Sequence, residues 1–161
     1  MLTTPFRLSK SRKKRPIPEG WATTQDISAF QVGVSNSLPV PQTTTLTVQG
    51  GYAAVAGLEG DVAIYSVEAD KLERSLRIEE PVTGSTWAGA KVIFTTAKGT
   101  VKIFDSGTEV ASFLDHAGFV TGSAVHPSNE ILATVGADKS FVFYDLVKLQ
   151  RATRVYTNSG K

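Results

Sequence analysis

The sequence predicts an all-β fold: a partial β-propeller of about three four-stranded blades. Two observations carry that expectation. From about residue 43 onward, short runs of β-branched and aromatic residues alternate with Gly, Asp and Asn turns at roughly ten-residue spacing. The runs also recur. Val82-Thr83-Gly84-Ser85 returns as Val120-Thr121-Gly122-Ser123 after 38 residues. Val62-Ala63-Ile64-Tyr65-Ser66 returns as Val101-Lys102-Ile103-Phe104-Asp105 and again as Phe141-Val142-Phe143-Tyr144-Asp145, its aromatic stepping 39 and then 40 residues. Many short strands fit a sandwich, a barrel or a propeller. A sandwich gives no reason for a period near 40 residues, whereas a four-stranded propeller blade does.

Along the chain, residues 1–20 carry charge, Pro16 and Pro18 but few apolar side chains, the composition of a flexible, disordered basic tail. Residues 21–42 read as a short helix followed by an extended connector. Thr23 can cap the helix, Asp26 sits in its first turn, and Ile27 and Phe30 lie three apart on one face. Gly33, Pro39 and Pro41 break any regular structure after it. Strands are expected at 44–48, 52–56, 61–66 and 72–78, then at 82–87, 91–96, 100–105 and 109–114, and finally at 120–125, 131–136, 140–145 and 151–156. They divide into blades at about 43–81, 82–119 and 120–161. Gly50, Gly51, Gly57 and Gly60 do not open a helix, as a phosphate cradle of the familiar kind would require, and are read as tight turns between blade strands.

The 161 residues suffice for one compact domain and are too few for two ordinary ones. The net charge of +2 conceals an asymmetry. Six basic side chains oppose Glu19 in residues 1–20, while the remainder carries 11 basic and 14 acidic groups. The folded part is thus slightly acidic and shows no basic nucleic-acid-binding face. The absence of cysteine removes a disulfide framework, a thiolate nucleophile and a cysteine zinc cluster, so a reduced, intracellular setting is allowed. No apolar run has the length of a signal-peptide core or a membrane span, and a soluble protein without membrane association is expected.

The third copy runs Asp115-His116-Ala-Gly-Phe-Val-Thr-Gly-Ser-Ala-Val-His126-Pro127 and continues through Thr134 and Asp138 to Tyr144-Asp145. It resembles the WD-repeat family. In that family a His before the first strand, a Ser or Thr in the second, an Asp in the next turn and a Trp in the third form one hydrogen-bonded chain. The resemblance implies that His116, Thr134 and Asp138 take the first three places. Tyr144 takes the fourth, with a hydroxyl placed differently from an indole N–H. In the other copies the His place holds Ile78 or falls in the connector, and the Asp place holds Lys98 or Glu59. Those blades are expected to rest mainly on apolar packing.

A narrower resemblance joins the Lys-Ser-Arg-Lys-Lys-Arg-Pro run, the Pro-Glu-Gly-Trp-Ala-Thr helix start and the stretch 130–146. Over about residues 8–150 the chain is similar to the pre-mRNA-processing factor 19 family in its fungal form. That resemblance implies a U-box ubiquitin-protein ligase of the spliceosome-activating complex, acting in pre-mRNA splicing and DNA repair, nuclear, and tetrameric through a coiled coil. The sequence departs from the family in having no U-box, no heptad segment and only about three blades. A fragment of a longer product or a truncated gene model is expected, and no ligase chemistry is carried over to these residues.

Lys10, Arg12, Lys13, Lys14 and Arg15, next to Pro16, can fit the acidic groove of a nuclear import receptor, serve as a solvated linker, or neutralise RNA phosphates. No aromatic interleaves them, which argues against base stacking and direct nucleic-acid binding. His116 beside Asp115 invites a catalytic reading, but no Gly-x-Ser-x-Gly is present, and neighbours on an extended strand face opposite ways. No catalytic residue, metal ligand, cofactor or small-molecule ligand is assigned, since His116 and His126 stand ten apart without cysteine or helical spacing. Trp21 and Trp87 are read as packing anchors.

Three functions compete. The first is a scaffold that presents loops, such as 115–119 and 125–130, to protein partners of the spliceosome-activating complex. The second is the recruiting part of a ubiquitin-protein ligase, and the third is a repeat that oligomerises through exposed sheet. A generic, non-enzymatic WD-repeat interaction protein outside splicing is the alternative to the first.

Overall fold

The computed structural model describes Glu19 and residues 37–157. The expected basic tail, the helix after Trp21 and the first part of the connector, through residue 36, otherwise lie outside the described residues. Twelve strands follow one another: β1 (Thr43–Gln49), β2 (Tyr52–Gly57), β3 (Asp61–Ser66), β4 (Lys71–Arg77), β5 (Val82–Ala88), β6 (Lys91–Thr96), β7 (Thr100–Asp105), β8 (Thr108–Leu114), β9 (Val120–Val125), β10 (Ile131–Gly136), β11 (Ser140–Asp145) and β12 (Gln150–Tyr156). Each expected strand is present, with its ends within one residue of the sequence reading. No helix occurs among the described residues.

The strands form three blade-like antiparallel sheets, each a simple meander: sheet I is β1 to β4, sheet II is β5 to β8 and sheet III is β9 to β12. Register repeats along with sequence. Ala53 faces Tyr65, Val92 faces Phe104 and Leu132 faces Tyr144 across the central pair of each sheet. The outer pair of every sheet is irregular at the same place, between Ile64 and Tyr65, Ile103 and Phe104, and Phe143 and Tyr144. Bulges of this kind bend a strand and increase its twist.

The core lies between the sheets. β1 packs on β5, and β5 on β9. Ala54, Ala56 and Val62 of sheet I meet Val82, Val92 and Phe94 of sheet II, where Phe94 meets Phe104 edge to face at 5.9 Å. On its other side sheet II presents Ile93, Val101 and Ile103 to Val120, Leu132 and Val142 of sheet III. Burying each of the Val, Ile, Leu and Phe side chains among these contributes about 1.5–3 kcal/mol. Sheet II is therefore covered on both faces, and Val92 to Thr96 of β6 are buried without a break. In β10, one face away, buried and half-buried positions alternate. Threonines in register on β1 and β5 tie the sheets together. Thr44 Oγ1 donates to the Val82 carbonyl at 2.7 Å, and its counterpart Thr83 Oγ1 donates to that of Val120 at 3.0 Å.

Candidate functional site

Where β8 ends at Leu114, the chain crosses from sheet II to sheet III through residues 115–119 and carries His116 inward. The His116 N–H donates to the Gly99 carbonyl at 3.3 Å, and the side chain is fully buried. Its Nδ1 lies 3.1 Å from Asp138 Oδ1, and its Nε2 lies 2.8 Å from Thr134 Oγ1. An ionised carboxylate only accepts, so the ring proton belongs on Nδ1, and Nε2 then accepts the Thr134 hydroxyl. Gly136 makes this approach possible: a Cβ there would stand 2.3 Å from His116 Nδ1 and 2.5 Å from Asp138 Oδ1.

Asp138 is the hub. It accepts from the Ala117 N–H at 3.0 Å, the Ser140 hydroxyl at 2.8 Å and the Ser140 N–H at 3.2 Å, and Arg154 Nη2 reaches its Oδ2 at 3.3 Å. Burial alone would raise its pKa, but these hydrogen bonds outweigh burial and hold the carboxyl well below the ordinary carboxylate range. Asp115 turns elsewhere and pairs with Arg151 at 2.7 Å. Neighbouring Asp115 and His116 thus belong to separate interactions.

Three of the four residues expected in this network meet, and Tyr144 does not join them. Its ring is buried and packs on Phe113 with centroids 5.0 Å apart, and its hydroxyl stands beside Thr134 and Asp115 without making a hydrogen bond of ordinary geometry to either. A phenol carries its O–H at the far end of the ring, where an indole would present N–H from the side. Burial, and after it the charge of Asp115, push the Tyr144 pKa up. Ser140 and Arg154 complete the network and were not singled out by the sequence reading. Ser140 stands two residues after Asp138, a spacing that suits a local side-chain hydrogen bond. Arg154 arrives from β12, and no local signal announces it.

The places corresponding to His116 in the other sheets are apolar. Ile78 joins Phe94 in the first core, and Val40 packs with Val55 and Ala63. Sheet II adds a carboxylate of its own, because Thr96 Oγ1 donates to Glu80 Oε2 at 2.6 Å and accepts from the Thr100 N–H at 3.1 Å. Burial raises the Glu80 pKa, but hydrogen bonds from Thr96 and Thr100 and the charges of Lys98 and Lys102 bring it below the ordinary value.

Ser140, His116 and Asp138 hold the residue types of a hydrolase triad but not its arrangement. The serine hydroxyl is buried, donates to Asp138 Oδ1 at 2.8 Å and lies 3.0 Å from His116 Nδ1, the same ring nitrogen that faces Asp138, whereas a triad places serine and carboxylate on opposite nitrogens. The site holds the connection between sheets in place. His126 lies past the opposite end of β9 and bonds Ser128 Oγ at 2.9 Å. No group of His, Asp and Glu among the described residues is arranged to hold a metal ion. Gly50 and Gly51 form the β1–β2 turn with positive φ. The Trp87 indole N–H donates to the Thr47 carbonyl at 3.3 Å across the first interface. Lys10, Arg12, Lys13, Lys14, Arg15 and Trp21 fall outside the described residues.

The two loops singled out for partner contact occupy opposite ends of sheet III. Residues 115–119 lie beside His116, with Phe119 51% exposed, and residues 125–130 lie at the far end. At that far end a groove of about 430 Å³ opens between sheets I and II, lined by Tyr52, Ile64, Leu76 and Trp87 with Glu73 and Arg74 at its rim. Three turns remote in sequence build it, so no sequence pattern marks it. Among the described residues, no helix is long and apolar enough to cross a membrane.

The fold and this network define a three-sheet all-β repeat in which the connection entering sheet III is pinned by buried polar groups. No family model matches the chain, and no curated protein matches it. Among solved structures it is similar to the computationally designed Ika4 protein, with a TM-score of 0.67 and 18% identity over 81% of this chain and 82% of that one. It is also similar to the computationally designed Ika8 protein, with a TM-score of 0.65 and 20% identity over 70% of this chain and 36% of that one. The chain thus spans little more than a third of Ika8. At these identities the likeness is one of fold.

Proposed function

We propose that the chain is part of a WD-repeat propeller of the pre-mRNA-processing factor 19 kind, a nuclear protein-binding scaffold that recruits partners of the spliceosome-activating complex. The carrying observation is the His116–Thr134 and His116–Asp138 pair of hydrogen bonds, which lies in the third of three four-stranded repeats. The network consumes its polar groups internally and so supports a role in holding loops rather than in catalysis. In the family resembled, ubiquitin transfer belongs to the U-box, and the role proposed for these residues is recruitment. Phe119, exposed at the sheet connection, is a suitable anchor for a partner, since aromatic side chains dominate protein interfaces. The basic run Lys10 to Arg15 serves nuclear import in this reading.

Affinity purification from fungal nuclear extract tests the proposal. The tagged chain is expected to bring down spliceosome-activating proteins, and Phe119→Asp is expected to reduce their recovery severalfold. Recovery of partners unconnected with splicing would favour a generic WD-repeat interaction protein instead, and recovery of none would remove the scaffold reading. A fluorescent fusion with Lys13, Lys14 and Arg15 changed to Ala is expected to lose nuclear accumulation.

A further inference from the structure

The seam between sheets I and II is open at the end where the seam between sheets II and III is filled, and turn length is the cause. Sheet II makes its two turns at that end with Gly89-Ala90 and Ser106-Gly107 alone, whereas sheet III uses residues 126–130 and 146–149. The longer β11–β12 turn delivers leucines to the second seam: Leu146 belongs to the buried core there, and Leu149 and Phe113 pack against it. In the first seam Leu76 stands in register with Phe113, and Ile64 with Ile103. Ser106 and Gly107 bring no apolar side chain to cover them. The result is the groove of about 430 Å³ with Ile64, Leu76 and Trp87 half-buried in it, a size within the roughly 300–1,000 Å³ of ligand clefts.

The rim adds a charge. Arg74 reaches across the seam and donates one N–H to the Ser106 carbonyl at 2.7 Å. Gly107 leaves it room, since a Cβ there would collide with the guanidinium. Arg74 is exposed and enters no ion pair among the described residues, while Glu73 beside it is paired with Lys71 at 3.2 Å. Gln49 Nε2 spans the same seam to the Gly89 carbonyl at 3.1 Å. Two hydrogen bonds thus hold the walls at a set separation before any partner arrives.

We propose that this groove binds an extended peptide segment of a partner protein, whose leucine side chains enter the cleft and whose neighbouring carboxylate pairs with Arg74. The chain itself shows which side chains fit, because Leu146 and Leu149 fill the same place in the second seam. A guanidinium suits the carboxylate, since its planar fork can hold both oxygens. The groove lies at the opposite end of the sheets from Phe119, so the contact is additional to the one proposed above, and it needs only sheets I and II.

Fluorescence anisotropy on the purified full chain tests this with a labelled synthetic peptide, Gly-Glu-Leu-Val-Glu-Leu-Gly, which keeps the three-residue spacing of Leu146 and Leu149. Saturable binding is expected, and exchange of both leucines for alanine is expected to abolish it. Arg74→Glu is expected to weaken binding about tenfold, and Ala90→Glu, at an exposed position on the groove, to weaken it as well. A second peptide with lysine in place of each glutamate is expected to prefer Arg74→Glu over the parent, which also shows that the variant is folded. Absence of binding up to about 1 mM peptide overturns the proposal. So does binding that survives both substitutions, which would put the peptide elsewhere, and so does equal affinity of the parent for the two charge versions. Self-association of the parent chain in light scattering, lost with Arg74→Glu, would give the groove to a second copy instead.

Discussion

Asp138 shows how much one side chain can organise: a carboxylate at a turn receives hydrogen bonds from His116, Ala117 and Ser140 and a guanidinium from β12. Asp138→Ala leaves several of these donors unpaired and is expected to cost about 1–3 kcal/mol in thermal or denaturant melts, against under about 0.5 kcal/mol for an ordinary surface turn. The pH dependence follows from the direction of its shift. Its native pKa is depressed, so its stabilisation is complete above the unfolded-state value near ~4 and is lost as pH falls through the native value. The stability gap between the parent and Asp138→Asn is therefore expected to narrow on acidification below about pH 4, as melts across the acid range would register. Tyr144→Phe runs the other way: it deletes a buried hydroxyl without a hydrogen bond of ordinary geometry and is expected to leave stability unchanged or raise it by up to about 1 kcal/mol. Gly136→Ala is expected to unfold or strongly destabilise sheet III, because the added methyl would stand 2.3 Å from the His116 ring.

At the scale of elements, the three connections between strands and sheets solve one problem in two ways. The segment entering sheet III uses a buried polar network, whereas those entering sheets I and II use Val40 and Ile78. Ile78→Ala should then open a cavity between sheets I and II and cost about 2–5 kcal/mol, while Ile131→Ala, at an exposed position, should cost little. Paired chemical-denaturation curves would separate the two. The strands themselves were legible because β-branched and aromatic runs separated by turn residues repeat with the period of the sheets. The His116–Asp138 link was legible because the residue types and their spacing resemble those of a repeat family with such a hydrogen-bonded chain. Arg154 and the groove beside Trp87 were not, because each is assembled by elements far apart in sequence that only packing brings together.

For the whole molecule, the decisive feature is the unequal cover of three similar sheets. Sheet II is buried on both sides, and sheets I and III each keep one apolar face.

What the sequence determined by itself was the number, order and approximate ends of the strands, their grouping by fours, and the partnership of His116 with Thr134 and Asp138. Those are properties of local alternation and of repeat spacing, which a chain carries in its residue order. Only the tertiary structure decided that Tyr144 stands outside the network, that Ser140 and Arg154 stand inside it, and that Phe141 and Phe143 line an uncovered face while Val101 and Ile103 are sealed. An apolar strand reads the same whether or not another sheet lies over it, because burial belongs to the neighbour and not to the strand.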